Sequence, residues 1–502
     1  MERHEIVVIG AGIAGLTAAA LLAKQGRKVL LVEAHHQSGG CAGTFRRGPY
    51  IFDVGATQVA GLEPGGSHSR LFRHLQVPLP AASPLDPACV VHLQDGSLPI
   101  RIWRDPLRWK QERELRFPGS ERFWALCEWL HRANWRFAGR DPVLPPRTLW
   151  DLRTLLPALD AGNLAGGLLA FSSVADLLAL SGCGGDLRLR RFLDLQLRLY
   201  SQEPTERTAA LYGATVLSMA QAPLGLWHLD GSMQNLSTSL ESALSRWGGT
   251  LLLRCRVTRL RRLPTGGWRL DGVRSERRGI QLEADDVVCT LPPQLLPELL
   301  GEAMPTRYAR RIASFGEPSG ALVLYGAVNR ARLPADGPGH LQLDWGDPGS
   351  LFVSISREGD GRAPHGQATV IASVFTSARA WFTLQPEAYE TAKAKAMAGI
   401  QRGLGTLLGL EAGDWIQAEL STPRGFQRWT GRPMGYVGGL GQHPRRFGPF
   451  GLSSRTPLPG LWLCGDSLYP GEGTAGVTLS ALTACRQLLA ARGQPLTLDS
   501  EL

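Results

Sequence analysis

The first part of the chain alternates between continuous apolar runs and one helical stretch. Ile6 to Ile9 are all apolar, as is typical of a strand buried on both faces of a sheet. A glycine-rich turn follows, and Leu16 to Ala23 then predict a helix. Lys28 to Val32 predict a second buried strand. This β-α-β start indicates an α/β fold class with a parallel sheet.

Later apolar runs predict a second, mostly antiparallel sheet with helices packed on it. Its predicted strands are Cys89 to His92, Leu98 to Trp103, Ala321 to Val328, His340 to Trp345, Leu351 to Ser356 and Ala368 to Phe375. The first two are joined through Asp95-Gly96, which favours a hairpin. Between this hairpin and residue 212 the apolar residues recur at helical spacing, as at Phe123, Cys127 and Leu130.

Three further segments are predicted to form strands. The segment Gly248 to Arg262 reads as two short strand halves, with Val257 near the middle. Ala284 to Gln294 reads as a strand ended by a pair of prolines, and Gly460 to Cys464 as a short strand near the end of the chain.

The turn after the first strand carries the pattern of a dinucleotide-binding loop. Gly10 allows a tight turn, Gly12 allows a pyrophosphate to approach the backbone, and Gly15 allows the helix to pack closely on the strand. The helix begins at Ile13 and Ala14, and its free N–H groups favour phosphate. Glu33 ends the second strand, where a carboxylate can accept hydrogen bonds from a ribose.

Two other glycine loops bring backbone close to a ligand. Gly39-Gly40 and Gly43 follow the second strand. Near the other end, Gly465-Asp466 follows a strand, and Gly473 to Val477 begin a helix. We expect this second helix N-terminus to meet an anionic group.

These motifs resemble those of the flavoprotein family that contains amine oxidases, phytoene desaturases and carotenoid isomerases. The resemblance implies FAD as cofactor and a Rossmann-like FAD-binding domain of the glutathione reductase and amine oxidase type. A substrate domain of mixed antiparallel sheet and helices is inserted into it, so the fold is α+β overall. The cofactor-binding residues implied are Gly10, Gly12, Ile13, Ala14, Gly15, Glu33, Ala34, Gly40, Cys41, Ala42, Gly43, Val257, Gly465, Asp466, Gly473, Gly476 and Val477.

The chain is too long for a single core, and we expect two domains. The FAD-binding domain is predicted to be discontinuous, formed by residues 1–75, 213–297 and 445–502. Residues 76–212 and 298–444 are predicted to form the substrate-binding domain, whose helical part is a candidate for membrane contact.

The net charge and the spacing of the cysteines limit which binding partners and which cellular compartment are expected. The net charge is +10, but the basic residues are spread along the chain and form no stripe with aromatic residues, so no nucleic-acid partner is expected. The eight cysteines show neither disulfide nor zinc spacing, so reduced thiols, a cytoplasmic location and no metal site are expected. No apolar stretch is long enough to span a membrane. The segment Ala161 to Gly182 reads either as a buried helix or as a helix in a membrane interface.

Three middle segments are similar to the carotenoid desaturases within this family, most of all to the cyanobacterial-type 3',4'-desaturases. They are Phe52 to Gly66, Leu193 to Gln202 and Gly225 to Leu236. The resemblance implies an FAD-dependent carotenoid desaturase bound peripherally to a membrane. His228 and Asp230 are candidate proton acceptors, and a polar turn capping a strand is the alternative for both.

Other activities on the same fold stay open at this point. They are a carotenoid cis–trans isomerase, another amine-oxidase-like enzyme and a flavin-free binding protein. The intact glycine motifs argue against the last of these.

Overall fold

The computed structural model describes residues 2–274, 278–335, 337–346 and 349–498. The strands are β1 Glu2–Ile9, β2 Val29–Val32, β3 Thr44–Arg47, β4 Tyr50–Asp53, β5 Ala82–Pro84, β6 Cys89–His92, β7 Ile100–Ile102, β8 Trp227–Leu229, β9 Thr250–Leu252, β10 Cys255–Arg262, β11 Trp268–Arg274, β12 Gly279–Cys289, β13 Gly320–Asn329, β14 His340–Asp344, β15 Ser350–Ile355, β16 Gln367–Thr376, β17 Trp415–Ser421 and β18 Leu461–Leu463.

The α-helices lie between these strands. They are α1 Ile13–Lys24, α2 Ser67–Leu75, α3 Pro106–Arg116, α4 Glu121–Gly139, α5 Leu149–Leu155, α6 Ala161–Gly167, α7 Val174–Leu180, α8 Leu187–Ser201, α9 Ala210–Val216, α10 Gln234–Arg246, α11 Leu296–Leu300, α12 Thr306–Ser314, α13 Ala378–Thr383, α14 Pro386–Leu408, α15 Pro423–Thr430 and α16 Thr474–Ala491.

The first sheet joins the two ends of the chain. Its strands run in the order β10-β11-β12-β1-β2-β9, and β18 also pairs with β12. The contacts of β12 with β1 and β18, and of β2 with β1 and β9, are parallel. Because both faces of the parallel part are covered, β2 and β18 are apolar and buried throughout, as is the second half of β1. Helices α1, α10 and α16 share the core on one face, and α11 and α12 pack on the other.

The second sheet has the strand order β17-β13-β16-β15-β14-β6-β7 and is antiparallel except between β14 and β6. One face packs on α14 through residues such as Ile400 and Leu404. The opposite face carries Val323, Tyr325 and Ile371, which also line the cavity described below. This sheet therefore forms one wall of the cavity and rests on a helix behind it.

Most strands of the predicted pattern are confirmed. The hairpin of β6 and β7, the strands β13 to β16, and the two halves β9 and β10 lie within a few residues of their predicted positions. Within the two large sheets two strands were missed, β11 and β17, and the short strands β3 and β5 outside these sheets were not predicted either. The strands of the first sheet fall within residues 1–75, 213–297 and 445–502, and those of the second within 76–212 and 298–444. The domain boundaries themselves stay a prediction.

The prediction of one helix from Ala161 to Gly182 is wrong. The segment forms two short helices, α6 and α7, because Ser173 caps the second and accepts a hydrogen bond from the Asp176 N–H. The segment is not buried as a whole either, since Leu168 and Phe171 are 85% and 70% exposed. Within the described ranges, no helix is long and apolar enough to cross a membrane.

Candidate functional site

The loop between β1 and α1 gives its three glycines different roles. Gly10 has φ +96, in the region that favours glycine. A Cβ added at Gly15 would lie 1.8 Å from the Gly10 carbonyl oxygen, so this glycine allows the helix to pack on the loop. A Cβ added at Gly12 would meet no protein atom within 4 Å. Gly12 also caps α1 without a side-chain hydrogen bond, which leaves the first amides of the helix open to a ligand.

Glu33 closes this loop from the end of β2. Its two carboxylate oxygens accept hydrogen bonds from the Ala11 and His35 N–H groups, both at 2.7 Å. The side chain lines the same cavity as Gly12. Glu33 therefore fixes the shape of the phosphate loop as well as facing the ligand space.

The second glycine loop lies directly against the first. Gly39 has φ +111, and its N–H donates to the Ala11 carbonyl at 2.8 Å. Gly40 comes so close to Gly12 that an added Cβ would be 3.4 Å from the Gly12 Cα. Gly40, Cys41, Ala42 and Gly43 all line the cavity.

The C-terminal loop completes the cradle from the opposite side. Gly465 has φ +132 after β18, and Gly473 has φ +86 at the start of α16. A Cβ at Gly473 would meet nothing within 4 Å, and α16 has no side-chain cap. The residues Gly465, Asp466, Gly473, Gly476 and Val477 line the cavity together with the N-terminal loops.

Some of the predicted cofactor residues lie outside this lining. Gly15 acts through packing, as described above. Ala34 is exposed beyond the end of β2, and Val257 is buried in β10 within the core of the first sheet. Their assignment to the cofactor stays a prediction.

A single cavity of about 1450 Å³ connects the glycine loops with the second sheet. This exceeds the roughly 300–1,000 Å³ of ordinary small-molecule pockets, so it has room for a cofactor and a second ligand. Away from the glycines its walls are largely apolar. The apolar wall residues include Trp135, Phe137, Leu211, Val216, Met219, Phe352, Ile371, Val374, Phe375 and Leu420.

His228 and Asp230 do not belong to the cavity lining, as far as the described residues define it. His228 is buried on β8, with its Nε2 3.1 Å from an Asp360 oxygen. Arg362 lies between Asp360 and Asp53, 2.9 and 3.0 Å from their carboxylates. Asp230 is an exposed turn residue. His228 thus belongs to a buried ionic network that links β4, β8 and the loop after β15.

The net pKa shift has opposite directions for the two carboxyls of this network. Burial raises the pKa of Asp53, against the opposing effect of Arg362. Burial also acts to raise the pKa of Asp360, but hydrogen bonds from His228 and from the Arg362 N–H, together with the Arg362 charge, hold it at about 2. Asp360 is therefore the permanently charged partner of Arg362.

Sequence reasoning missed a polar cluster beside Asp466. Arg432 forms an ion pair with Asp466 at 2.9 Å, and Glu472 accepts a hydrogen bond from the Gln202 Nε2 at 2.7 Å. All four side chains line the cavity. Glu472 lies inside the C-terminal glycine loop. A charged residue within such a loop is the one feature of the sequence that could have predicted this polar cluster. Arg432 and Gln202 come from distant segments that only the fold brings here.

The arrangement fits FAD. Two helix N-termini without side-chain caps face one cavity, and at Gly12 and Gly473 the backbone is open to a ligand. A cradle of amides at one end suits the diphosphate, and the amides at the start of α16 suit a ring that gains negative charge. Bound FAD would supply two-electron oxidation and reduction.

Comparison with known proteins decides the family. The model of the flavin containing amine oxidoreductase family matches residues 13–489. The chain belongs to this family. It is an FAD-dependent oxidoreductase with the amine-oxidase fold.

Solved structures of this flavin amine oxidoreductase fold cover nearly the whole chain. Wild-type putrescine oxidase bound to putrescine has 17% identity and a TM-score of 0.65, over 97% of this chain and 99% of that one. Cyclohexylamine oxidase from Brevibacterium oxydans IH-35A has 19% identity and a TM-score of 0.60, with the same coverage.

Curated relatives include enzymes of isoprenoid metabolism. Chloroplastic prolycopene isomerase 2 of an Oncidium hybrid cultivar is 26% identical over 98% of this chain and 85% of its own length. Chloroplastic prolycopene isomerase of Arabidopsis thaliana is 25% identical over 97% of this chain and 83% of its own length. The all-trans-retinol 13,14-reductase of Danio rerio is 26% identical over 52% of this chain and 42% of its own length.

Proposed function

We propose that this flavin amine oxidoreductase is a carotenoid desaturase that acts at the 3',4' position of a linear or monocyclic carotenoid. The observation that carries the proposal is the cavity of about 1450 Å³, which continues from the cofactor cradle between apolar walls. A polyene offers no polar group to bind, so its position must be fixed by the shape of an apolar tunnel.

The three segments that resemble carotenoid desaturases also support this proposal. Each contributes to the cavity wall: Val54 and Gln58 from the first, Leu199 and Gln202 from the second, and Leu226 from the third. The resemblance therefore falls on residues beside the ligand space rather than on remote surface.

Desaturation removes two hydrogens, so the product mass falls by two hydrogens and the conjugated system grows. The chain should be expressed in a bacterium that makes lycopene, γ-carotene or their 1-hydroxy derivatives, and the pigments analysed by chromatography and mass spectrometry. A redder pigment lighter by two hydrogens is expected. A Gly12→Val variant, which closes the cofactor loop, is the control and should leave the pigments unchanged.

A second candidate is a carotenoid cis–trans isomerase. It is favoured by the plant relatives, which are named prolycopene isomerases and match almost the whole chain. Products of unchanged mass and altered geometry would select this activity and overturn the desaturase proposal.

We also propose that the enzyme works from the cytoplasm as a peripheral membrane protein. Leu164, Leu168 and Phe171 on and after α6 are 64%, 85% and 70% exposed, and Leu149 and Leu156 are 75% and 63% exposed. The part of this exposed set after α6 adjoins the cavity, because Ala170, which directly precedes Phe171, lines the cavity.

Two exposed arginines, Arg147 and Arg153, flank the patch and suit an anionic lipid surface. Flotation with phosphatidylserine vesicles tests the idea. The double variant Leu168→Glu, Phe171→Glu should lose binding, whereas Leu115→Glu, which removes a leucine of 71% exposure on α3, should keep it. Equal flotation of both variants would contradict the assigned patch.

A further inference from the structure

The C-terminal glycine loop places a carboxyl group inside the ligand cavity. Glu472 directly precedes Gly473, the cap of α16, and lines the cavity. Its Oε2 accepts hydrogen bonds from the Gln202 Nε2 at 2.7 Å and from the Gly439 N–H at 3.1 Å. Gln202 is itself fixed, because its Oε1 accepts from the Ser319 N–H at 3.0 Å. The carboxyl position is therefore determined by three separate segments.

Among the described residues, one cation, Arg432, lies beside two carboxyls, Asp466 and Glu472. Arg432 pairs with Asp466 at 2.9 Å, so its charge is already balanced. A second carboxylate at Glu472 would leave this partly buried cluster with a net negative charge. The other titratable groups near the cluster are the Cys41 thiol and the hydroxyls of Tyr200 and Tyr212. The charge balance therefore favours a neutral Glu472.

The pKa of Glu472 agrees with this balance. Burial raises it to about 8, and the Asp466 carboxylate adds to the rise. The hydrogen bonds from Gln202 and Gly439 and the charge of Arg432 oppose the rise without cancelling it. Burial also raises the pKa of Cys41 and Tyr212, so these two groups stay neutral in the same range.

We propose that Glu472 is the proton acceptor of the reaction, exchanging a proton whenever the charge of the bound cofactor changes. This deepens the desaturase function proposed above and rests on it for the catalytic step. The substrate loses two C–H bonds and gains a C=C bond. Bound FAD would supply the oxidant that takes one hydrogen with both electrons. The other hydrogen would leave as a proton to the ionised Glu472 carboxylate, which later releases it to solvent.

Placement favours Glu472 over the two residues that the sequence suggested for this role. Glu472 lines the cavity beside the start of α16, whereas His228 is held in the Arg362 network and Asp230 is exposed. A proton acceptor must come within hydrogen-bond reach of the proton it takes.

The first test needs no carotenoid. Purified FAD-loaded protein is titrated with a reductant, and the reduction potential of the bound FAD is followed on both sides of pH 8. Reduction adds negative charge, which holds the proton on Glu472. Wild type should therefore change from about one to about two protons taken up per two electrons as the pH rises past the pKa of Glu472. Glu472→Gln should stay at about one throughout.

A matched control is Glu419→Gln, which changes another cavity-lining glutamate that instead pairs with Arg47. It should keep the wild-type pH dependence. If wild type and Glu472→Gln take up the same number of protons at every pH, the proposal is overturned, whatever the substrate.

The second test uses the carotenoid substrate once pigment analysis has identified it. In wild type, kcat/KM should rise with pH through a pKa near 8, because only the ionised carboxylate accepts a proton. Glu472→Gln should lose this rise and about 10²–10⁴-fold in rate while still binding FAD. A full rate in Glu472→Gln would refute the catalytic step. If the pigments do not change but the first test shows the expected proton uptake at Glu472, only the proposed function is refuted.

Discussion

A single added methyl group should separate cofactor binding from folding at the first glycine loop. Gly12 and Gly15 belong to the same short motif, yet an alanine Cβ meets no protein atom within 4 Å at the first and a carbonyl oxygen at 1.8 Å at the second. Gly12 also has φ −72 and ψ 178, which any residue adopts. The added methyl group therefore obstructs the cofactor at Gly12, whereas at Gly15 it obstructs the backbone of the protein itself.

The expected magnitudes follow from these contacts. Gly12→Ala should leave the FAD-free protein as stable as wild type or more stable by about 0.4–1 kcal/mol, because alanine restricts the unfolded chain. FAD binding should weaken, because the methyl group lies where the phosphate must approach. Loss of one charge-assisted hydrogen bond costs about 1.5–3 kcal/mol, which corresponds to roughly 10–100-fold in Kd.

Gly15→Ala should show the reverse order of effects. The 1.8 Å contact with backbone forces α1 away from the loop, and such overpacking costs about 1–3 kcal/mol or more of folding stability. Urea denaturation of both FAD-free variants and FAD titration by flavin fluorescence measure the two quantities. A Gly12→Ala protein that binds FAD like wild type, or that is less stable than Gly15→Ala, would refute the reasoning.

The remaining predictions concern the Glu33 carboxylate and the buried network around Arg362. Glu33→Gln should weaken FAD binding and also lower stability, because the Glu33 carboxylate holds the Ala11 and His35 amides; thermal melts without FAD measure the second effect. Arg362→Met should cost about 3–5 kcal/mol in urea denaturation, since it leaves Asp53 and Asp360 buried without their cation. A loss below about 1 kcal/mol would contradict that pairing.

The local pattern of apolar residues and glycines was sufficient to predict most of the strands and the glycine loops. The apolar runs of β1 and β2 and the glycines between them predicted the cofactor cradle, because each follows from short-range geometry. The missed strand β11 carried a usable signal that was overlooked: Trp268–Arg274 begins with alternating apolar and charged residues after a glycine turn, which is typical of a half-buried strand. Its place as a strand depends on pairing with β10 and β12.

The polar cluster at Glu472 depends on long-range assembly. Gln202, Arg432 and Glu472 are separated by hundreds of residues or by whole elements, and no spacing rule links them. Likewise, the apolar segment from Ala161 to Gly182 predicted a helix, but the Ser173 cap divided it. Capping chemistry competes with apolar periodicity, and here it prevailed.

The strand β18 has a consequence for the timing of biosynthesis. The ligand cradle needs Gly12 near the beginning of the chain and Gly473 near its end, and β18 joins the sheet only by pairing with β12. At about 5–20 residues per second, roughly 25–90 s of translation separate the synthesis of the two loops. The nascent chain therefore carries half a cofactor site until α16 has left the ribosome, and the complete cradle can form only after that point.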